Sequence, residues 1–165
     1  MTALCTERCL LHRLRKQDIE EAVQLYTDKE VRAFLGGTIP EELAILKLKS
    51  WIDNEEGQYF CIRLKKDFEF IGMIYYAPYH EGDCKELSYE LLPSYWGMGY
   101  AREVVKQMLI YGRDSLCLDY IVSETQAANI RSRTLLECVG FTAIKEVIRF
   151  NERQIVYHYQ WDKIV

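Results

Sequence analysis

Apolar residues alternate with polar ones in some stretches of this chain and recur every three or four positions in others. These two periods divide it into strands and helices. Thr6–Leu14 reads as a first strand, with Cys9 and Leu11 on one phase and Leu10, His12 and Leu14 on the other. Gln17-Asp18 then opens a helix whose apolar positions Ile19, Ala22, Val23 and Tyr26 keep helical spacing, and a short helical piece, Val31–Leu35, stops at Gly36-Gly37. A further helix starts near Pro40, with Glu41 and Glu42 in its first turn where the helix dipole favours negative charge. Leu43, Ile45, Leu46 and Trp51 are its expected apolar stripe, and Asn54 to Gly57 close it.

From Tyr59 the period becomes two. Tyr59–Leu64 and Phe68–Tyr76 form a hairpin around Lys65-Lys66-Asp67, Pro78 to Asp83 turn again, and Cys84–Leu92 completes an antiparallel meander. Ala101, Val104, Val105, Met108, Leu109 and Gly112 mark a helix packed on a sheet. Tyr120–Thr125 is a strand, Asn129–Val139 a helix ended by Gly140, and Thr142–Phe150 pairs with Gln154–Gln160 around Asn151-Glu152. The order predicts an α+β fold: a mixed, mostly antiparallel sheet of six or seven strands flanked by helices, in one domain over 1–165 without repeats or a linker.

Composition narrows the function classes. At 165 residues and 49% hydrophobic the chain is globular, and its net charge of -4 argues against nucleic acid as a partner while mildly favouring a cationic substrate. The six cysteines include no C-x-x-C pair and most sit in apolar runs, which predicts reduced, buried thiols. His12, His80 and His158 are isolated without zinc-type spacing, so no metal is expected. No apolar stretch reaches the roughly 18 residues of a membrane span, so a cytoplasmic protein without a membrane partner is the default.

The stretch around which the rest is organised is Leu91-Leu92-Pro93-Ser94-Tyr95-Trp96-Gly97-Met98-Gly99-Tyr100-Ala101. A strand that stops at a proline, turns through two close glycines and enters a helix gathers several backbone N–H groups at one helix N-terminus, a ready anion site. A Gly-x-Gly can equally serve only to turn the chain. A dinucleotide fingerprint would need a third glycine where Arg102 stands, and a phosphate loop would need Gly-Lys-Ser/Thr, which is absent.

The segment resembles the pyrophosphate loop of the GNAT acetyltransferases, Gln/Arg-x-x-Gly-x-Gly/Ala, whose six places fall on Trp96, Gly97, Met98, Gly99, Tyr100 and Ala101. Trp96 at the first place departs from that pattern and is similar to the branch that acetylates N-termini of ribosomal proteins. Asn129-Ile130-Arg131-Ser132 and the later Glu137-Cys138-Val139-Gly140-Phe141 resemble that branch's Asn-x-x-Ser and Glu-x-x-Gly-Phe segments. The resemblance implies a GNAT fold in which the strand ending near Leu92 splays from the one beginning near Tyr120, with acetyl-CoA as cosubstrate in the opening. It places the pantetheine arm on backbone groups of Leu91 and Leu92, the pyrophosphate on N–H groups from Gly97 through Ala101, and Asn129 as an orienter of cofactor or backbone.

Transfer from a thioester to an amine needs a neutral amine and a polarised carbonyl. Neutralising an α-amino group at pH 7 costs roughly 1 kcal/mol, and a lysine-like amine roughly 4 to 5. Glu90 is the candidate base, or a solvated sheet residue, and Glu86 on the same phase is its substitute. By resemblance Ser132 assists the departing thiolate, since the tyrosine common four residues later is Leu136 here. A backbone N–H near Leu91 or Leu92 would polarise the thioester oxygen.

The acceptor is expected to be a small-molecule amine or a protein N-terminus, held among 31–54, the 76–83 turn and the last hairpin loop. Exposed acids there, and Tyr75, Tyr76 and Tyr79, read as surface and sheet packing. The chain then acts as an N-acetyltransferase, monomer or homodimer. The alternative is a non-catalytic CoA-binding or regulatory module, and a domain without cofactor would leave the glycine turn and the Asn129 segment unexplained.

Overall fold

The computed structural model describes residues 3–162. Eight strands form one sheet in the order β1-β2-β3-β4-β5-β6-β8-β7. They are β1 Leu4–Cys5, β2 Cys9–Arg13, β3 Gln58–Leu64, β4 Phe70–Pro78, β5 Lys85–Leu91, β6 Tyr120–Gln126, β7 Thr142–Arg149 and β8 Glu152–Gln160. All neighbours are antiparallel except β5 and β6. The expected first strand begins only at Cys9, as β2: the Thr6 amide donates to Cys9 O at 2.9 Å in a turn, and β1, which precedes the expected stretch, folds back to pair with β2 as an eighth strand. Phe68 lies in the hairpin turn with φ 64 rather than in β4.

The helices divide between the two faces. On one face α1 Ile19–Ala22, α2 Gln24–Thr27, the 3-10 turn Val31–Phe34 and α3 Glu41–Ile52 cover β2 to β4. On the other, α4 Tyr100–Asp114 and α5 Ile130–Cys138 cover the centre, where Val104, Val105 and Met108 of the expected stripe are fully buried against Leu87, Ile74 and Tyr157. Burying each such side chain contributes about 1.5–3 kcal/mol. α3 turns differently from its expected stripe. Leu43 and Leu46 are 54% and 61% exposed, while Ala44 and Leu48 enter the core, because Trp51 anchors the helix by stacking on Tyr59 at 4.4 Å.

Of the cysteines only Cys9 and Cys61 are buried; Cys5, Cys117 and Cys138 are exposed, and none is disulfide-bonded. His12 is not isolated in space, for it lies with Asp18 and Cys61 within 4.8 Å. Arg63 enters that cluster, its Nε donating to His12 Nε2 at 3.1 Å and its Nη2 to Asp18 at 2.9 Å, so two of the three ligand-bearing side chains already hold a cation. No described helix is long and apolar enough to cross a membrane.

Candidate active site

β5 and β6 run side by side only at Lys85↔Ile121 and Glu86↔Val122. The Ser123 hydroxyl donates to Leu87 O at 2.9 Å, and beyond that bridge β5 follows β4 as far as Leu91 while β6 follows β8 as far as Gln126. The strands fork. Because backbone groups alternate between the two edges of a strand, the Leu92 amide, which donates to Ile71 O at 2.9 Å, belongs to the β4 side, and that of Leu91 faces the fork. Of the two residues expected to offer backbone groups to the cofactor, Leu91 has its amide toward the fork, while the amide of Leu92 is engaged by β4.

At the end of β5 a single 3-10 turn, Pro93–Tyr95, leads into Trp96 and the two glycines, with φ 73 at Gly97 and 83 at Gly99. No side chain caps α4, so its first N–H groups keep their donors directed at the turn. A Cβ at Gly97 would meet nothing within 4 Å, which leaves the backbone open to close approach. Trp96 is a strut: its Nε1 donates to Leu91 O at 2.8 Å, and the Arg131 guanidinium lies 4.6 Å above its ring, joining the start of α5 to the turn. Arg8 braces the far side by donating to Met98 O at 3.0 Å and to Glu103 at 2.7 Å while covering the Tyr100 ring. Ala101 packs against the core. An open glycine cradle, a free helix N-terminus and an unpaired strand edge fit a pyrophosphate followed by an extended amide-bearing arm.

Glu90 is buried, not solvated, with 7% of its surface exposed on the face opposite α4. Its Oε1 is 3.8 Å from Arg32, and its Oε2 is buried without a hydrogen-bond partner among the described residues. Burial pushes its carboxyl above the usual carboxylate range, while Arg32, Lys47 and Tyr75 pull it partly back. Glu86, about 13 Å back along the same strand face, is pushed up to about 7 by burial and the Glu124 charge. Glu86 lies where β5 and β6 still pair, and Glu90 lies beside the opening. Arg149 donates to Glu124 at 3.0 Å and touches His80, so the last hairpin and the 79–84 turn close one wall of this face. Tyr76 is on the other face, its hydroxyl donating to Met108 O.

Asn129 caps α5 by accepting from the Ser132 amide at 3.2 Å, and the Ser132 hydroxyl meets that of Tyr89 at 2.8 Å. Leu136, at the place of the family's tyrosine, is fully buried in the core. Arg32, Arg8 and Tyr89 escaped the sequence reading. Nothing in a lone arginine beside a glycine pair, or in a tyrosine on an apolar phase, signals a partner this distant in the chain.

A model described as "Acetyltransferase (GNAT) domain" matches residues 8–142. An uncharacterised N-acetyltransferase of Bacillus licheniformis, p20, is 29% identical over 86% of this chain and 83% of its own. Two solved structures share the fold. The spermidine N-acetyltransferase of Vibrio cholerae, in complex with CoA and spermine, has a TM-score of 0.81 at 15% identity and covers 92% of this chain and 95% of that one. The ribosomal-protein-S5-alanine acetyltransferase of Vibrio fischeri has a TM-score of 0.79 at 17% identity and covers 99% and 98%. The match over most of the chain, on a fork and glycine turn of this geometry, places it in a family of acetyl-CoA-dependent N-acetyltransferases: the chain belongs to the GNAT acetyltransferases.

Proposed function

We propose that residues 1–165 act as one catalytic domain that passes an acetyl group from acetyl-CoA directly to a primary amine, with Glu90 as the base. The observation that carries this reading is the Glu90 carboxylate, buried beside the free edge of β5 with one oxygen lacking a donor among the described residues. An amine in the fork supplies that donor and gives up its proton there. Acetyl-CoA supplies the activated acyl group. Gly97 to Ala101 hold its pyrophosphate, and the Leu91 amide orients the thioester carbonyl.

Arg32 beside Glu90 disfavours a second cation, so the amine that reacts is one that loses its proton readily. An α-amino group meets that condition better than a lysine-like amine by roughly 3 to 4 kcal/mol. The S5-alanine enzyme's named substrate has such a group, and the spermidine enzyme's does not. Incubation with acetyl-CoA and a panel of N-terminal peptides, polyamines and amine metabolites, read by mass spectrometry, tests the assignment. Acetylated peptides are expected. Tight acetyl-CoA binding without any acetylated product would support the non-catalytic module instead, a reading favoured by Leu136 at the tyrosine place.

The loop assignment has its own test. At a hundredfold excess over Kd, acetyl-CoA is expected to stabilise the protein by about 2.7 kcal/mol, a rise in Tm of roughly 5–10 °C. Gly99→Val is expected to abolish that rise, since a side chain at φ 83 costs about 1–2 kcal/mol and crowds Arg8 and the phosphate approach. A normal rise in the variant would remove Gly99 from the site.

A further inference from the structure

Tyr89 and Ser132 come from elements that the chain separates by 43 positions, yet their hydroxyl oxygens lie 2.8 Å apart at the mouth of the fork. Tyr89 stands on β5, two residues before the Leu91 amide, on the face that packs against α4 and α5. Ser132 is in the first turn of α5, held in register by its amide bond to Asn129. The helix offers no phenol of its own at Leu136, which is sunk in the core. A phenol arrives from the strand instead.

We propose that Tyr89 is a positioning residue for the leaving sulfur: its hydroxyl donates to Ser132 Oγ and thereby aims the Ser132 proton at the sulfur of coenzyme A. A phenol is the better donor of the two and a serine oxygen the better acceptor, so the bond has a preferred direction. Burial strengthens it, holding the phenol protonated by pushing its pKa up to about 12. As the amine attacks, the C–N bond forms and the C–S bond breaks, and the sulfur keeps the electron pair. The amine proton goes to Glu90. The thiolate leaves with the Ser132 hydroxyl donating to it and takes its own proton from water afterwards. This inference rests on the acetyl-CoA reading above.

The alternative is that the pair only ties β5 to α5. Binding of CoA and of desulfo-CoA, which lacks the sulfur, separates the two without any turnover. Calorimetric titrations on the alkaline side of the CoA thiol are expected to show Tyr89→Phe binding CoA about tenfold more weakly, the size of one hydrogen bond to a charged group. Desulfo-CoA is expected to bind as to the wild type. Ser132→Ala should give the same selective loss, and the double variant no further loss, because the two hydroxyls act as one unit. Should Tyr89→Phe fail to fold, Tyr89→Met, which fills the space with a flexible apolar chain and no hydroxyl, carries the comparison.

Equal weakening of both ligands, or no change in either, would overturn the role. Failure of the wild type to bind either ligand would strike the acetyl-CoA reading rather than the Tyr89 assignment.

Discussion

Glu90→Gln lowers kcat for amine acetylation by about two to four orders of magnitude, the range for losing a positioned general base, with little change in the KM for acetyl-CoA. Glutamine keeps the shape of the side chain and its contact with Arg32, but it cannot take a proton. Glu86→Gln, although its carboxyl is also raised, leaves kcat nearly unchanged, because β5 and β6 are still paired at that level and no reacting amine fits there. Thiol release followed on both variants decides between the carboxylates. A slow Glu86→Gln with a fast Glu90→Gln would reverse the assignment.

The pH behaviour of the same variant supplies an independent reading. Burial is the main cause of the upward shift at Glu90. A base works only when deprotonated, so the wild-type kcat/KM rises with pH through that raised pKa, and Glu90→Gln loses this limb. Stability moves the other way. A carboxyl whose folded pKa lies above its unfolded value contributes stability below the unfolded pKa and loses it as pH rises through the folded one. Glu90→Gln is therefore expected to match the wild type in acid and to melt at a higher temperature than it at neutral and alkaline pH. Lost turnover with gained stability marks a group held in an unfavourable state for its chemistry.

The parts of this site that a single segment builds were legible in the sequence. The glycine turn and the α4 stripe each depend on residues within a few positions of one another, so spacing alone reveals them, whereas Asn129 stood out through the family resemblance and its capping bond only in the fold. The splay between β5 and β6 was visible only through the family resemblance. Its physical cause, β5 continuing with β4 while β6 continues with β8, is a matter of pairing across long stretches of chain. Glu90 was visible as a candidate, but its burial was not, because the alternation of β5 gives the phase of a residue and says nothing about which helix covers that phase. α3 and the Val31–Phe34 turn cover it, and their orientation follows from the Trp51–Tyr59 stack rather than from their own periodicity. The Arg32–Glu90 and Tyr89–Ser132 contacts belong to the same class: side chains whose partners are chosen by the fold.

Gly72→Ala is expected to damage the protein most, although Gly72 touches no substrate. It lies opposite Leu91 in the β4–β5 pair, where a Cβ would come 2.2 Å from Glu90 O and 2.9 Å from Leu91 Cα. Both are backbone atoms, so no rotamer relieves the clash, and β5 has to move away from β4. Beside Gly72 the register against β3 skips Ile71, a bulge that bends β4 at this point. The glycine and the bulge together draw the end of β5 toward β4 and away from β6, which helps keep the fork open. The methyl group is expected to cost at least about 3 kcal/mol, a fall in Tm of roughly 6–12 °C, and to break the Leu92-to-Ile71 bond. Gly36→Ala, at φ 81 with nothing within 4 Å, bears only the backbone strain of about 1–2 kcal/mol and serves as the control. Thermal unfolding of both variants is decisive: if Gly72→Ala melts no lower than Gly36→Ala, β5 has room to give, and its position beside the fork is not set by this close approach.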